Sequence, residues 1–240
     1  MIENLNNWAY SFSGCDGGCP DAKIWLCGIE WGYEKATDKE REHYYKSILS
    51  KEIKNGHHEL NTSYNFFSDE SMSFPFHLAF SKLYSVIQNR DISDFKNNSG
   101  DILKLNLSPI AFRKDDEGLW NENLVKATGI KTKTEFVAHL KTLNRFTEIT
   151  TKHKPKLIVC IGNGHRNNFI SSFFGNEKIK LKYETIKPEI SNKNQNNRYI
   201  YHAKHNDTLL VITPFSTSPN GLNSDYLLQS VGEIIKDLLT

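Results

Sequence analysis

The sequence predicts an α/β fold: a three-layer α/β/α sandwich with a central, mostly parallel, four-stranded sheet. Two observations lead to this prediction. Short apolar runs of strand length recur along the chain, and segments with the apolar spacing of helices separate them. Such alternation is typical of parallel sheets that helices cover on both faces. No repeat or linker-like stretch interrupts the pattern, so we expect residues 1–240 to form one domain.

The strands are predicted from apolar runs that end at a glycine, a proline or a polar turn. Those of the central sheet are 23–27, 101–107, 157–161 and 209–213. Two further runs, 179–187 and 198–204, flank a polar tip and are expected to pair as a hairpin.

The helices are predicted from apolar residues that recur every three or four positions. Pro75 favours the first turn of one helix. Thr132 and Glu135 have the spacing of a capping box at the start of another, which is expected to run to Pro155. The predicted spans are 38–54, 75–87, 132–154, 166–174 and 224–239, the last with one continuous apolar face.

Composition excludes several classes of protein. The 240 residues include 30 Lys and Arg against 28 Asp and Glu. The net charge of +2 is too small for a histone-like nucleic-acid binder, although it leaves room for a local basic cleft. No apolar run is long enough to cross a bilayer, and the polar N-terminus lacks the basic and apolar regions of a secretory signal. We therefore expect a cytoplasmic protein that does not bind membranes.

The four cysteines do not predict a metal site. Cys27 and Cys160 lie in apolar runs and are expected to be buried strand residues. Three residues separate Cys15 from Cys19 in a glycine-rich loop, but no second pair of ligands accompanies them. The interpretation is a turn-rich loop with free thiols. Neither a metal, an iron–sulfur cluster nor another cofactor is expected.

Polar side chains gather where the predicted strands end, which is where parallel α/β sheets bind ligands. Glu30 follows the first strand, and Asn106 lies near the end of the second. The segment 214–225, after the last strand, is rich in hydroxyl, amide and glycine residues. A carboxylate, an amide and hydroxyl groups at one edge suit the recognition and hydrolysis of a ring-bearing substrate.

Three short motifs at these strand ends resemble those of the uracil-DNA glycosylase superfamily. Residues 28–32 (Gly-Ile-Glu-Trp-Gly) are similar to its first motif, most closely to the Gly-Ile-Asn-Pro-Gly of the mismatch-specific uracil/thymine branch. Asn106 matches the strand-end Asn that pairs with the flipped base. Residues 218–222 (Ser-Pro-Asn-Gly-Leu) are similar to the family's Asn-Pro-Ser-Gly-Leu. The order and spacing of the motifs follow the family over most of residues 23–239.

The resemblance implies a uracil-DNA glycosylase-like fold and a monofunctional, monomeric DNA glycosylase without a cofactor. Its partner is DNA, from which it flips a base and hydrolyses the N-glycosidic bond. The catalytic residues are expected to be Glu30 and Asn220, the base-binding residues Asn106, Tyr33 and Phe67, and the DNA-binding residues Ser216, Ser218 and Leu222. The Glu30 carboxylate would stabilise the oxocarbenium-like sugar or position a water. Leu222 would fill the gap that the flipped base leaves.

Three of these residues have structural interpretations that stay open. Glu30 at a strand end can instead bind backbone groups or a lysine. Asn106 can cap the turn that precedes Ser108 and Pro109. Leu222 can pack onto the last helix rather than project from its loop.

Departures from the family predict a base other than uracil. Glu30 stands where the family has Asp or Asn, and Trp31 where it has Pro. Ser218 replaces a His or Asn, and Asn220 replaces a Ser. A pocket rebuilt on the same scaffold favours a non-canonical or modified base, in particular a modified pyrimidine. Some relatives in this superfamily are thought to act on heavily modified phage bases, so the resemblance allows a role in antiviral defence.

Two other classes of function stay open. Trp31 and Ser218 replace the Pro and the His or Asn of the family's motifs. These replacements are compatible with a catalytically inactive nucleic-acid-binding module on the same scaffold. The other class is an unrelated α/β hydrolase or nucleotide-binding enzyme. Against that class, the sequence contains neither a Gly-x-Ser-x-Gly elbow nor a P-loop.

Overall fold

The computed structural model describes residues 2–29, 38–95, 102–110, 120–175, 178–189, 196–215 and 221–240. Its helices are α1 (Ile2–Tyr10), α2 (Asp38–His43), α3 (Leu49–Asn55), α4 (Asp69–Met72), α5 (Pro75–Gln88), α6 (Glu122–Thr128), α7 (Lys133–Leu143), α8 (Thr147–His153), α9 (Arg166–Phe174) and α10 (Asp225–Leu239). Its strands are β1 (Gly17–Gly18), β2 (Ile24–Gly28), β3 (Ile102–Asn106), β4 (Leu157–Ile161), β5 (Lys182–Ile186), β6 (Arg198–His205) and β7 (Thr208–Thr213). A π-helical turn, Tyr44–Ile48, joins α2 to α3.

The described strands form one sheet of seven strands, in the order β1-β3-β2-β4-β7-β6-β5. Strands β3, β2, β4 and β7 are parallel to one another, whereas β1, β6 and β5 are antiparallel to their neighbours. The predicted α/β class is confirmed, but the predicted count of four strands is wrong. The hairpin of β5 and β6 extends the sheet beyond β7. Strand β1 consists of two glycines, so it has no apolar pattern from which to predict it.

The parallel strands are buried because helices pack on both faces of the sheet. All five residues of β2, β3 and β4 are buried. Residues of α5 and α10 share a core with one face, and residues of α9 share a core with the other. Helices α5 and α10 approach closely at Gly232, where an added Cβ would lie 2.4 Å from Val86 Cγ1. A third apolar cluster joins α1, α3, α6 and α7.

The prediction of a single helix over 132–154 is wrong, because two helices, α7 and α8, occupy this span. Thr132 caps α7 as predicted, and its hydroxyl accepts a hydrogen bond from Glu135 N–H at 3.1 Å. Asn144 ends α7 in the left-handed conformation, with φ of 49°. The next residue, Arg145, turns into the interior. Apolar spacing continues through the break, so the pattern does not reveal it.

The π-helical turn Tyr44–Ile48 interrupts the helix predicted over 38–54, and the remaining predicted elements agree with the structure apart from shifts at their ends. Cys27 and Cys160 are buried in β2 and β4, as predicted. Helices α1, α4 and α6 are not predicted. Helix α1 carries apolar residues at helical spacing, whereas α4 and α6 are short. Trp8 on α1 is fully buried. No helix in the described ranges has both the length and the apolar character to cross a bilayer.

Candidate functional site

The carboxyl ends of the four parallel strands lie side by side at one edge of the sheet. Gly28 of β2 pairs with Asn106 of β3, and Ile161 of β4 pairs with Thr213 of β7. Strands β2 and β4 are in register up to the residues that precede Gly28 and Ile161. The four strand ends therefore form a row from Asn106 to Thr213.

Three polar side chains, Asp16, Lys104 and Asn106, form a hydrogen-bonded group at the β3 end of this row. We call this group the Asp16 cluster. Lys104 Nζ donates to Asp16 Oδ2 at 3.0 Å and to Asn106 Oδ1 at 2.9 Å. Asn106 Nδ2 donates to Asp16 Oδ2 at 3.1 Å and to Gly14 O at 2.7 Å. Lys104 and Asn106 lie two positions apart on β3, so both face the α5 side of the sheet.

Asp16 is the member of this cluster that reaches solvent. Asn106 is only 1% exposed, and both of its N–H groups have partners within the protein. Lys104 is also buried, whereas the side chain of Asp16 is 23% exposed. The accessible hydrogen-bonding group at this strand end is therefore the Asp16 carboxylate, which the sequence analysis did not single out, rather than the Asn106 amide.

The Asp16 carboxylate is held in its ionised form. Burial acts to raise its pKa, but the charge of Lys104 and the hydrogen bonds from Lys104 and Asn106 outweigh burial and lower the pKa below its usual value. Keeping a charge in a largely buried position is costly, and carboxyls with perturbed pKa values gather at functional sites. The Asp16 cluster is therefore the strongest site candidate among the described residues.

Neutral hydrogen-bonding groups from residues 64–77 adjoin the Asp16 cluster. His77 Nδ1 lies 2.9 Å from Ser71 Oγ, and the Tyr64 hydroxyl lies 3.3 Å from the same oxygen. Burial, together with the charge of Lys104, lowers the pKa of His77, so its imidazole is neutral at pH 7. Burial and the charge of Asp16 raise the pKa of Tyr64 to about 12, so the phenol keeps its proton.

Gly28 leaves the space that the Asp16 cluster occupies. A Cβ added here would lie 2.6 Å from Asn106 Oδ1 and 3.5 Å from Lys104 Nζ. We expect Gly28→Ala to displace Asn106 and to lower the free energy of unfolding by about 1–3 kcal/mol, measured by urea denaturation. Gly164→Ala is the matched control, because no atom lies within 4 Å of its added Cβ. Equal stability of the two variants would contradict this account of Gly28.

Arg145 fastens the loop before Asp16 to the end of β3. The guanidinium is buried, and burial lowers its pKa. It donates hydrogen bonds to five backbone carbonyls, those of Ala9, Ser11, Ser13, Asn106 and Leu107. Three of these belong to the N-terminal segment and two to the end of β3, so Arg145 fixes the position from which the chain reaches Asp16.

A cleft of about 510 Å³ opens at the same edge, on the opposite face of the sheet. Ile29, Leu107 and Ser108 line it from the strand ends, and Phe136 and Leu140 line it from α7. Leu107 directly follows Asn106 and belongs to the core on the α9 face, whereas the Asp16 cluster faces α5. The cleft borders on the first motif, since Ile29 precedes Glu30 in the chain.

The structure describes three of the eight predicted site residues. Those outside the described residues are Glu30, Tyr33, Ser216, Ser218 and Asn220. The three described residues, Asn106, Phe67 and Leu222, are all buried. No hydrogen bond within the described part of the chain joins any two of them. Asn106 alone belongs to the row of strand ends.

Phe67 and Leu222 lie in the core rather than on a DNA-facing surface. Phe67 is 1% exposed and packs against Phe66, Tyr84 and Phe95, which leaves no open ring face for a base to stack on. Leu222 is 2% exposed and belongs to the core on the α10 side. It therefore packs inward in this structure and does not project as a wedge. The apolar character of both side chains explains their burial.

The thiols of the glycine-rich loop are free and half-buried. Burial raises the pKa of the Cys15 thiol, so it stays protonated near neutral pH. Where the structure describes the chain, no three His, Cys, Asp or Glu side chains are grouped so that they could hold a metal ion.

No known protein family matches this chain, and no curated protein does either. The row of strand ends, the Asp16 cluster and the cleft are the features that a function has to explain.

Proposed function

We propose that this protein is a DNA glycosylase of the uracil-DNA glycosylase type that removes a modified pyrimidine. The observation that supports it most is the row of strand ends, because β2, β3 and β7, which lead to the motifs of the sequence resemblance, all end at the same edge of the sheet. Gly28 leads into Glu30, Asn106 ends β3, and β7 leads towards residues 218–222. The proposal includes the fold type, a three-layer α/β/α sandwich like that of the uracil-DNA glycosylases.

The reaction needs a carboxylate beside the anomeric carbon of the sugar. The bond between C1′ and the base nitrogen breaks, and its electron pair leaves with the base. A water oxygen then binds C1′ and loses a proton, and the departed base takes up a proton at the nitrogen that had carried the bond. We assign to Glu30 the stabilisation of the cationic sugar or the orientation of this water.

The Asp16 carboxylate, the member of the cluster that reaches solvent, favours a base that presents a hydrogen-bond donor. An ionised carboxylate accepts hydrogen bonds and cannot donate them. The exocyclic amino group of a cytosine donates, and Asp and Glu accept from it in protein–DNA contacts. Uracil has a carbonyl oxygen at that position, which the carboxylate would repel. A modified cytosine is therefore the proposed substrate, with Lys104 and Asn106 as positioning residues for Asp16.

The test is base release from single- and double-stranded DNAs that each carry one kind of base. The set contains uracil, mismatched thymine, hydroxymethylcytosine, glucosylated cytosine and unmodified bases, and alkali cleavage at abasic sites is the readout. We expect wild-type protein to cleave a modified-cytosine DNA, and Glu30→Gln to slow this cleavage by at least about 100-fold. The matched control is Glu59→Gln, at an exposed carboxylate, which should retain wild-type activity.

Each other result contradicts part of the proposal. Wild-type activity in Glu30→Gln would remove Glu30 from the reaction. Cleavage of the uracil DNA alone would contradict the assignment of a modified cytosine. No cleavage of any DNA, by a folded protein that binds DNA, would overturn the enzymatic proposal in favour of a catalytically inactive binding module.

A further inference from the structure

The β5–β6 hairpin presents three tyrosines on one face of the sheet. Tyr183 pairs with Tyr201 across the two strands, and Tyr199 lies two residues before Tyr201, so the three side chains share a face. The ring centroid of Tyr183 lies 6.0 Å from that of Tyr199 and 6.3 Å from that of Tyr201. Tyr183 is 62% exposed and Tyr199 42% exposed. We call this surface the tyrosine face.

The tyrosine face borders on the row of strand ends. Asn163, in the turn after β4, donates from Nδ2 to Tyr199 O at 2.8 Å. Arg198 Nε donates to Gly221 O at 3.0 Å, which joins the start of β6 to the end of the 218–222 motif. Arg166, at the start of α9, lies over the Tyr201 ring, with its Cζ 4.3 Å from the centroid. The aromatic rings of the tyrosine face and the Arg166 cation therefore lie beside the candidate site.

Positive charge is concentrated on this hairpin. Residues 178–207 contain seven Lys and Arg against three Asp and Glu, which gives a net charge of +4, whereas the whole chain carries +2. The rest of the chain is therefore slightly negative. Exposed aromatic rings among lysines are how proteins bind single-stranded nucleic acids, because bases stack on the rings and cations contact the phosphates. Within a duplex the bases already stack on one another and are not open to such rings.

We propose that the tyrosine face binds single-stranded DNA that flanks the candidate site. The proposal rests on the proposed function only in taking DNA as the nucleic acid. Pairing with a strand of a second copy along β5, the edge of the sheet beside this surface, is disfavoured. Strand β5 carries Lys182 and Glu184 at exposed positions, and charged residues on an edge strand oppose the addition of another strand.

The experiment measures binding of a fluorescent oligothymidine of about 12 nucleotides by anisotropy, with the full-length chain. We expect Tyr183→Ala and Tyr199→Ala each to weaken binding by about 5- to 150-fold, the range found for the loss of one base-stacking ring. Tyr183→Phe and Tyr199→Phe should bind as wild type, because the ring remains. Tyr10→Ala is the matched control, since Tyr10 is 48% exposed but lies on α1. It should also bind as wild type.

Salt dependence and competitors test the same surface. Lys180 is an exposed lysine two residues before β5. Lys180→Gln should lower the slope of log affinity against log salt by about 0.7, as expected for one phosphate contact to a single strand. Duplex DNA of the same sequence should compete poorly. Unchanged binding in both alanine variants would overturn the proposal, and so would duplex binding as tight as single-strand binding. Preferred binding of RNA would overturn the choice of DNA. Self-association that Tyr183→Ala abolishes, without a change in DNA binding, would replace DNA by a second copy.

The failure of this inference and the failure of the proposed function are distinguishable. Binding is measured with Glu30→Gln as well as wild type, so it does not need catalysis. Tyrosine-dependent binding without base release from any DNA would support the tyrosine face and contradict the glycosylase. Base release without tyrosine-dependent binding would support the glycosylase and contradict the tyrosine face.

Discussion

Replacement of Arg145 by methionine is expected to leave most of the protein unfolded at room temperature. The variant removes the donors for five buried carbonyls, and each buried group without a partner costs about 1–3 kcal/mol. We expect a loss of about 5 kcal/mol or more, which is comparable to the whole stability of a typical domain. Far-ultraviolet circular dichroism against urea concentration measures it.

Two variants make the Arg145 result specific. Arg145→Lys keeps a charge and three donors, so it should be less destabilised than Arg145→Met. Arg90→Met removes an exposed guanidinium that lies 3.9 Å from Asp94 and over the ring of Phe95, and it should cost about 1 kcal/mol or less. A loss below about 2 kcal/mol in Arg145→Met would show that water or a local shift satisfies the carbonyls.

Lys104→Met is expected to destabilise the protein by about 2–4 kcal/mol at pH 7. The variant leaves the largely buried Asp16 carboxylate without its cation, and removal of one partner of such a pair is costly. The loss stays below that of a fully enclosed pair because the Asp16 side chain is 23% exposed. The matched control is Lys82→Met, which breaks an exposed pair with Asp225 and should cost about 1 kcal/mol or less.

The pH dependence of stability separates this electrostatic loss from a loss of packing. In the wild type the pKa of Asp16 lies below its unfolded value of 3.8, so its contribution is present above about pH 4 and is lost as pH falls further. Without Lys104, burial dominates and the pKa of Asp16 rises above the unfolded value. The variant should then lose stability as pH rises from about 4 to 7. An equal deficit at both pH values would indicate that packing is the cause.

Much of the sheet is predictable from sequence because buried parallel strands are apolar throughout, as β4 is. The break between α7 and α8 is not, since the apolar spacing runs on through Phe146. The break lies at Asn144, and the next residue, Arg145, has carbonyl partners as far as 136 positions away in the chain. Local patterns carry no information about such partners. The hairpin of β5 and β6 is predictable as a hairpin. Its attachment to β7 is also local, because the two-residue turn Asn206-Asp207, with positive φ at both residues, joins β6 to β7.

The candidate site is predictable only in part for the same reason. Asn106 is found from its place at a strand end. Lys104 offers a signal that sequence analysis can use, because a lysine inside an apolar strand and two positions before Asn106 must share its face. Asp16 offers no such signal, since its approach to β3 depends on the pairing of Gly17 with Lys104. Phe67 and Leu222 show that an apolar residue in a predicted loop is more safely assigned to the core.

The contacts of Arg145 also bear on how the protein is made. The segment around Ala9 leaves the ribosome before its guanidinium partner, Arg145, which is synthesised 136 residues later. At about 5–20 residues per second, the interval is on the order of ten seconds. Throughout that time Leu5 and Trp8, both fully buried in the finished protein, lack the α7 side of their apolar cluster. Helix α1 therefore obtains its packing partners long after its own synthesis, and until then its apolar side chains need protection from aggregation.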